Sequence, residues 1–275
     1  MLAPLLSAPE LSDPQFRRIT ALTYRVAGIN LTAGKEGLVR SRLTKRLRAL
    51  EMTSFDPYIE LVERTDDGGA RELAQMIDAL TTNKTSFFRE PAHFDFLRTR
   101  FLRDMEPGTE PIRIWSAGCS TGEEPYTIGM VLRDAAAGGA GREARILATD
   151  ISPKVVAHAR AAVYSADQVA DVPADARRWL EPAGDGGRWQ VAAAVRSLVT
   201  FAHLNLMGDW PMRGPFDAIF CRNVMIYFDK PTQARLVARY HALLRPGGML
   251  FVGHSESLSG LDHAFRYVQP AVYAR

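Results

Sequence analysis

The chain has 275 residues, 47% hydrophobic and 24% charged, so it can bury an ordinary core and is neither disordered nor fibrous; its length suits one large domain or two modest ones. No stretch approaches the roughly 18 consecutive apolar residues of a spanning helix, and the start MLAPLLSAPELSD lacks the basic residues and long apolar run of a secretion signal, so a cytoplasmic protein is expected. A net charge of +3 is too small to argue for wholesale nucleic-acid binding, and two distant cysteines, Cys119 and Cys221, allow neither a disulfide framework nor a zinc cluster and read as buried thiols.

Up to about residue 80 only helices are expected. Segments 11–27, 36–50, 55–64 and 70–80 carry apolar residues at three- and four-residue spacings, separated by the breaks AGINLTAGK, TSFDP and RTDDGG. Asp13 and Ser54 read as helix starts, each with a proline nearby that suits a first turn.

From about residue 111 short apolar runs alternate with helical stretches: PIRIWSAG, EEPYTIGMVLRDAA, ARILATD, SPKVVAHARAAV, PFDAIFCRN, PTQARLVARYHALL and GMLFVGH. This alternation implies an α/β unit, a parallel sheet covered by helices on both faces, with any ligand beyond the carboxyl ends of the strands. Residues 164–201 interrupt it. The turn AGDGGRW, flanked by WL and by VAAAVRSLVTF, suggests a small helix followed by a protruding hairpin.

IRIWSAGCSTGEEPY places a glycine-containing loop between a strand and a helix. Gly118 and Gly122 permit a tight turn and close approach to a ligand, but Ser120 stands where a dinucleotide fingerprint has its glycine. Glu123 and Glu124 follow at once and would repel a pyrophosphate, so a phosphate-free ligand is favoured. Asp150 ends the next strand 28 residues past Gly122, where a carboxylate can accept hydrogen bonds from ribose hydroxyls, or else cap the following helix. Arg222 and Asn223 lie just past FDAIFC, as ligand contacts or as loop-capping residues, and LLRPGGMLF reads as a left-handed helix exit into a strand. A sugar held by an acid, no phosphate cradle and carboxylates near a cationic sulfur favour S-adenosylmethionine over NAD.

TTNKTSFFRE (81–90), SAGCSTGEEPY (116–126), FDAIFCRNVMIYFDKPTQ (216–233) and GGMLFVGHSES (247–257) together resemble the chemotaxis receptor methyltransferases, the CheR family, from about residue 11 to Tyr273. The resemblance implies a helical domain over 1–80 that docks to the receptor. It also implies a Rossmann-like S-adenosylmethionine-dependent methyltransferase domain over 81–275, with the 164–201 insertion as a small β-subdomain. The reaction implied is methyl transfer from S-adenosyl-L-methionine to glutamate side chains on the cytoplasmic helical bundle of chemoreceptors, leaving S-adenosyl-L-homocysteine. Cofactor contacts of the family fall on Asn83, Thr85, Arg89, Glu124, Asp150, Asn205, Leu206, Arg222 and Asn223; Arg89 and Tyr227 match the residues placed beside the reactive methyl and the incoming glutamate. A different acceptor such as RNA, or a noncatalytic adaptor, are the competing readings.

Such chemistry needs little acid–base machinery. A glutamate nucleophile with a reference pKa near ~4.3 is already ionised at neutral pH, so no general base is required. His93, His158 and His203 accordingly read as surface or strand-flanking residues. Residues 35–48, KEGLVRSRLTKRLR, carry six basic residues against Glu36; Val39, Leu43, Leu47 and Leu50 share one stripe and Arg42, Lys45 and Arg46 lie together on a flank. That is either a solvated basic face or, as the resemblance favours, a docking surface for an acidic receptor segment.

Overall fold

The computed structural model describes residues 9–105, 110–137, 142–184 and 186–275. The first eight residues of the chain, and Asp185 in the glycine-rich turn, lie outside the described residues. The chain divides into two compact units: residues 1–82 with 227–229, and residues 83–226 with 230–275.

The first unit is helical: α1 (Asp13–Ala27), α2 (Glu36–Ala49), α3 (Phe55–Glu63) and α4 (Asp67–Leu80). Ser12, not Asp13, caps α1: its hydroxyl accepts from Gln15 N while the Gln15 side chain accepts from Ser12 N, and Gly28 closes the helix in the left-handed conformation. Ser54 precedes α3 without a side-chain cap bond. α4 starts three residues earlier than the periodicity expects, because Asp66 accepts from Gly69 N at 2.8 Å and carries both glycines of the break into the first turn. The apolar stripes point inward: Ile19, Val39, Leu43, Leu47, Tyr58, Ile59 and Met76 have no exposed surface.

The second unit begins with α5 (Ala92–Phe96), which continues into a single wider turn over Leu97–Phe101, and then alternates β1 (Ile112–Ala117), α6 (Glu123–Ala137), β2 (Ala144–Asp150) and α7 (Pro153–Ala161). Next come β3 (Val163–Ser165), α8 (Ala166–Val169), β4 (Leu180–Pro182), β5 (Arg188–Val191), α9 (Ala193–Arg196), β6 (Val199–His203), β7 (Phe216–Cys221), α10 (Lys230–Leu243), β8 (Leu244–Val252), β9 (Arg266–Gln269) and β10 (Val272–Ala274). The seven-stranded sheet runs β6-β2-β1-β7-β8-β10-β9. Its first five strands are parallel, whereas β10 is antiparallel to both β8 and β9.

The wholly parallel sheet expected from the alternation is therefore corrected to a mixed one. Only two residues, Pro270 and Ala271 (φ 62°), join β9 to β10, too few for a parallel crossover and enough for a hairpin. The Pro-Gly-Gly segment is a second correction. It lies inside β8 rather than in a helix exit, because Gly247 N donates to Arg275 O and Arg275 N to Gly248 O, drawing the chain end onto it.

The insertion differs in its details as well. β3, β5 and β4 form a separate antiparallel sheet whose hairpin is β4–β5. The alanine-rich run read as part of the hairpin instead makes the short α9, where Val195 packs with no exposed surface, and Val199–Phe201 already belong to the main sheet. Tyr164 ties this small sheet to the glycine loop: its hydroxyl donates to Thr121 O at 2.7 Å and its ring meets Phe87 edge-on at 4.9 Å. The main sheet is filled by aromatics, with Phe220 and Phe251 stacked at 4.1 Å and Trp115 wholly buried, donating to Thr149 Oγ1.

Candidate functional site

The strand order reverses at β1. From β1 the chain moves outward through β2 to β6 and then returns to β7 on the other side, which makes the carboxyl ends of β1 and β7 a topological switch point. Residues 118–122 follow β1, Asp150 ends β2, Asn205 and Leu206 follow β6, Arg222 and Asn223 follow β7, and Gly253 and His254 follow β8. Backbone topology alone gathers these positions along one rim.

The glycine loop is shaped by the protein's own packing. A Cβ at Gly122 (φ 99°) would stand 2.8 Å from the Ala159 Cβ and 2.9 Å from the Tyr164 hydroxyl oxygen, so the glycine that sequence assigned to ligand approach is required by the neighbouring helix and small sheet. Ser120, at φ 48°, donates its hydroxyl to Asn83 O at 2.9 Å and its N–H to Asp150 Oδ2 at 2.8 Å. Asn83 is thereby held against the loop, with Thr85 half-buried in the same segment.

Asp150 is 8% exposed, and its Oδ1 also accepts from Ser152 N at 2.9 Å. Ser152, not Asp150, caps α7 through its hydroxyl. Each Asp150 oxygen has a second lone pair, so both backbone bonds are compatible with further donors. The Asn205 side chain accepts from Met207 N at 2.9 Å, and Leu206 O accepts from Arg239 and from the Trp210 indole, which fixes the turn after β6.

Arg222 is the best-connected side chain of the rim. Buried over the Phe94 ring, it donates to Glu124 Oε2 at 3.0 Å, to Glu90 Oε2 at 3.1 Å and to Arg89 O. Glu124 also accepts from the buried Ser116 hydroxyl at 2.7 Å. It is a paired carboxylate, not the free anion the sequence suggested. Burial pulls the Glu90 carboxyl upward, but the Arg222 guanidinium outweighs it and holds Glu90 below the usual range. Arg89 itself is half-buried, with Nη1 donating to Lys84 O at 2.8 Å.

Asn223 sits at φ 59°, a left-handed conformation that asparagine tolerates. Its N–H donates to Glu256 Oε2 at 2.7 Å, as does Gly253 N at 2.6 Å, while Ile226 N donates to Oε1 at 3.1 Å. Glu256 thus sets the shape of the loop after β7. Burial raises its pKa, opposed by these backbone N–H groups.

Sequence reasoning missed Glu90, Ser116 and Glu256, although each stands inside a motif it singled out. It also misplaced His93, which is wholly buried beneath Phe251 and His254; His158 and His203 are exposed as expected. Both cysteines are buried thiols with pKa values raised by burial.

Tyr227 falls in the helical unit, where its hydroxyl donates to Thr82 O at 3.3 Å and its carbonyl accepts from Asn30 N. Of the basic trio on α2, only Lys45 is exposed. Arg42 donates to Leu80 O, Thr81 O and Thr82 Oγ1, closing the last turn of α4, and Arg46 grips the buried Glu72 through two bonds of 2.9 and 2.7 Å. Tyr58 donates to the same carboxylate at 3.1 Å.

A sheet of this order, with a glycine loop after β1 and an acid at the end of β2, is a Rossmann-like arrangement of the nucleoside-binding class. The family model for the CheR methyltransferase SAM binding domain matches residues 83–274, and that for the CheR methyltransferase all-alpha domain matches residues 14–81. The chain is 43% identical over 263 residues to chemotaxis protein methyltransferase 2 of Pseudomonas aeruginosa, covering 94% of this chain and 92% of that protein. It is 42% identical over 269 residues to the chemotaxis protein methyltransferase of Escherichia coli, covering 96% and 91%. Against the probable chemotaxis protein methyltransferase of Rhizobium etli it is 42% identical over 259 residues, covering 92% and 96%. The chain belongs to the CheR family of chemotaxis protein methyltransferases and is an S-adenosylmethionine-dependent enzyme.

Proposed function

We propose that this enzyme esterifies glutamate side chains in the cytoplasmic helical bundle of chemoreceptors, and that the cofactor lies along the rim formed by Asn83, Thr85, Arg89, Glu124, Asp150, Asn205, Leu206, Arg222 and Asn223. The observation that carries the reading is the buried Asp150 carboxylate at the switch point, bonded on one side to the glycine loop and on the other to the start of α7. The residues fit the group. Asp150 presents a buried carboxylate acceptor at the end of β2, where ribose hydroxyls would lie, and the Arg222 Nε is a buried donor with no hydrogen-bond partner among the described residues, suited to an anionic or carbonyl oxygen.

S-adenosylmethionine supplies a methyl group on a cationic sulfur, displaced in line by a carboxylate oxygen with a neutral thioether leaving. The chain's own task is positioning. Arg89, partly exposed and held by Lys84 O through one nitrogen, has donors left to steer an incoming carboxylate without fully neutralising it. Arg222 fixes the Arg89 backbone by donating to its carbonyl, and Glu90 and Glu124 keep Arg222 from turning away. Tyr227, the family's match beside the acceptor, lies in the helical unit and is tested by substitution rather than placed on this rim. Water exclusion and alignment, rather than proton transfer, supply the acceleration.

On α2, the cations free to meet an acidic receptor segment are Arg40, Lys45 and Arg48, all exposed and within about 140° of arc on a regular helix. No helix among the described residues is long and apolar enough to cross a membrane, and the reading places the enzyme in the cytoplasm with the receptor domain it modifies.

The test is incubation of the enzyme with a receptor cytoplasmic fragment and methyl-labelled cofactor, followed by mass spectrometry of receptor peptides. Base-labile glutamyl esters are expected. Arg89→Ala should cut methyl transfer far more than S-adenosylhomocysteine affinity measured by calorimetry, and Asp150→Ala should do the reverse. Label on RNA rather than on receptor glutamates, or full activity in Arg89→Ala, would overturn the assignment.

A further inference from the structure

Three metal-ligating side chains converge from separate parts of the second unit: Glu90 ahead of α5, His93 within it, and His254 just past β8. One donor atom from each lies within 4.8 Å of the others. His93 is wholly buried, yet neither ring nitrogen has a hydrogen-bond partner among the described residues. A buried imidazole nitrogen without a partner is costly, and a native protein that keeps one commonly satisfies it with a bound ion or water; an ion takes one of the two nitrogens.

We propose that Glu90, His93 and His254 form a binding site for a divalent transition metal of the zinc class, with a fourth position open to water.

The geometry suits such an ion. Bonds of about 2.0–2.2 Å in a tetrahedral site separate donor atoms by roughly 3.3–3.6 Å, and His93 Nδ1 stands 3.6 Å from Glu90 Oε2. The His254 ring, 4.9 Å from that of His93 between centroids, is exposed, so its rotation closes the remaining distance and the same opening admits the ion. Two imidazoles and one carboxylate are a known ligand set for zinc with an open position, and their softness selects against magnesium and calcium.

Arg222 is the main obstacle, because it shares Glu90 Oε2 at 3.1 Å, an oxygen that also accepts from His254 N at 3.2 Å. It does not depend on that oxygen. Glu124 at 3.0 Å and Arg89 O remain its partners when Glu90 turns to the ion. Metal and Arg222 therefore compete for one carboxylate, and occupancy of the site loosens one of the three contacts that fix Arg222.

The test uses the full chain, freed of metal with a chelator and then dialysed. Calorimetric titration with Zn2+ should show one site per chain, and Co2+ should give the strong visible absorption of four-coordinate cobalt. His254→Ala, a surface change that leaves the buried packing of His93 in place, should weaken Zn2+ binding at least about tenfold and abolish the cobalt band. His263→Ala, at a histidine elsewhere in the unit, should leave both unchanged. No stoichiometric uptake by the native chain, or equal uptake by His254→Ala, overturns the site. No cofactor enters these measurements, so their outcome is independent of the methyl-transfer reading.

Discussion

Glu123 and Glu124 are neighbours in sequence with opposite surroundings. Glu124 meets Arg222 and Ser116, whereas Glu123, 2% exposed, accepts hydrogen bonds from neutral groups, Thr121 Oγ1 at 2.6 Å and the Gln168 side chain at 3.3 Å, with His158 as its nearby basic group. Burial consequently raises the Glu123 pKa above the usual carboxylate range, opposed by the Thr121 hydrogen bond and, more weakly, by His158. A carboxylate with a raised folded-state pKa binds its proton more tightly when folded, so its contribution to stability is fully present below the unfolded value and is lost as pH rises through the folded one. Glu123→Gln should remove that decline and raise the melting temperature at pH 7, as measured by thermal denaturation from pH 4 to 8; an unchanged pH profile counts against it. The sequence displayed both carboxylates as a pair flanking the cofactor loop. It did not reveal which was neutralised, because Arg222 is 98 residues away and Gln168 is 45.

The same distinction between seeing a residue and seeing its partner governs α2. Its basic run was legible, and so was its apolar stripe, since Val39, Leu43 and Leu47 are fully buried. Which cations are free was not legible, because the acceptors of Arg42 and Arg46 lie on α4 or just past its end, 26–40 residues away in the chain. Two substitutions separate the roles. Arg46→Met leaves the buried Glu72 without its guanidinium, and should cost on the order of 2–4 kcal/mol by chemical denaturation with little specific effect on receptor recognition. Reversing Arg40, Lys45 and Arg48 to glutamate should leave stability within about 1 kcal/mol. That triple change should also slow receptor methylation at low salt and flatten its salt dependence, since exposed charges act by screened steering. Salt-dependent kinetics identical to the native enzyme would sink the docking role.

At the scale of the whole chain, strand and helix alternation was readable because each βα unit is local, and the rim followed from strand order. The strand containing Pro-Gly-Gly was hidden, because it is decided by pairing with chain distant in sequence, as when Arg275 bonds Gly248, whereas the β9–β10 hairpin and the short α9 are local but too short for their periodicity to show. Also hidden was the passage of Tyr227–Asp229 into the helical unit, where Asp229 accepts from the Tyr24 hydroxyl 205 residues away. The proposed cofactor residues all lie in the unit of residues 83–226 and 230–275, which sets where ligand stabilisation must appear. A ligand that binds only the folded state adds about 2.7 kcal/mol at 100 times its dissociation constant, or about 5–10 °C for a unit of this size. Scanning calorimetry with S-adenosylhomocysteine should therefore shift the unfolding of that unit upward, and any separate transition of the helices should stay in place. Asp150→Ala itself removes an acceptor for Ser120 N and Ser152 N and lowers the starting temperature, so the quantity to compare is the ligand-induced shift. At a fixed ligand concentration that shift should shrink sharply in the variant. An equal shift in both proteins would place the nucleoside somewhere other than the end of β2.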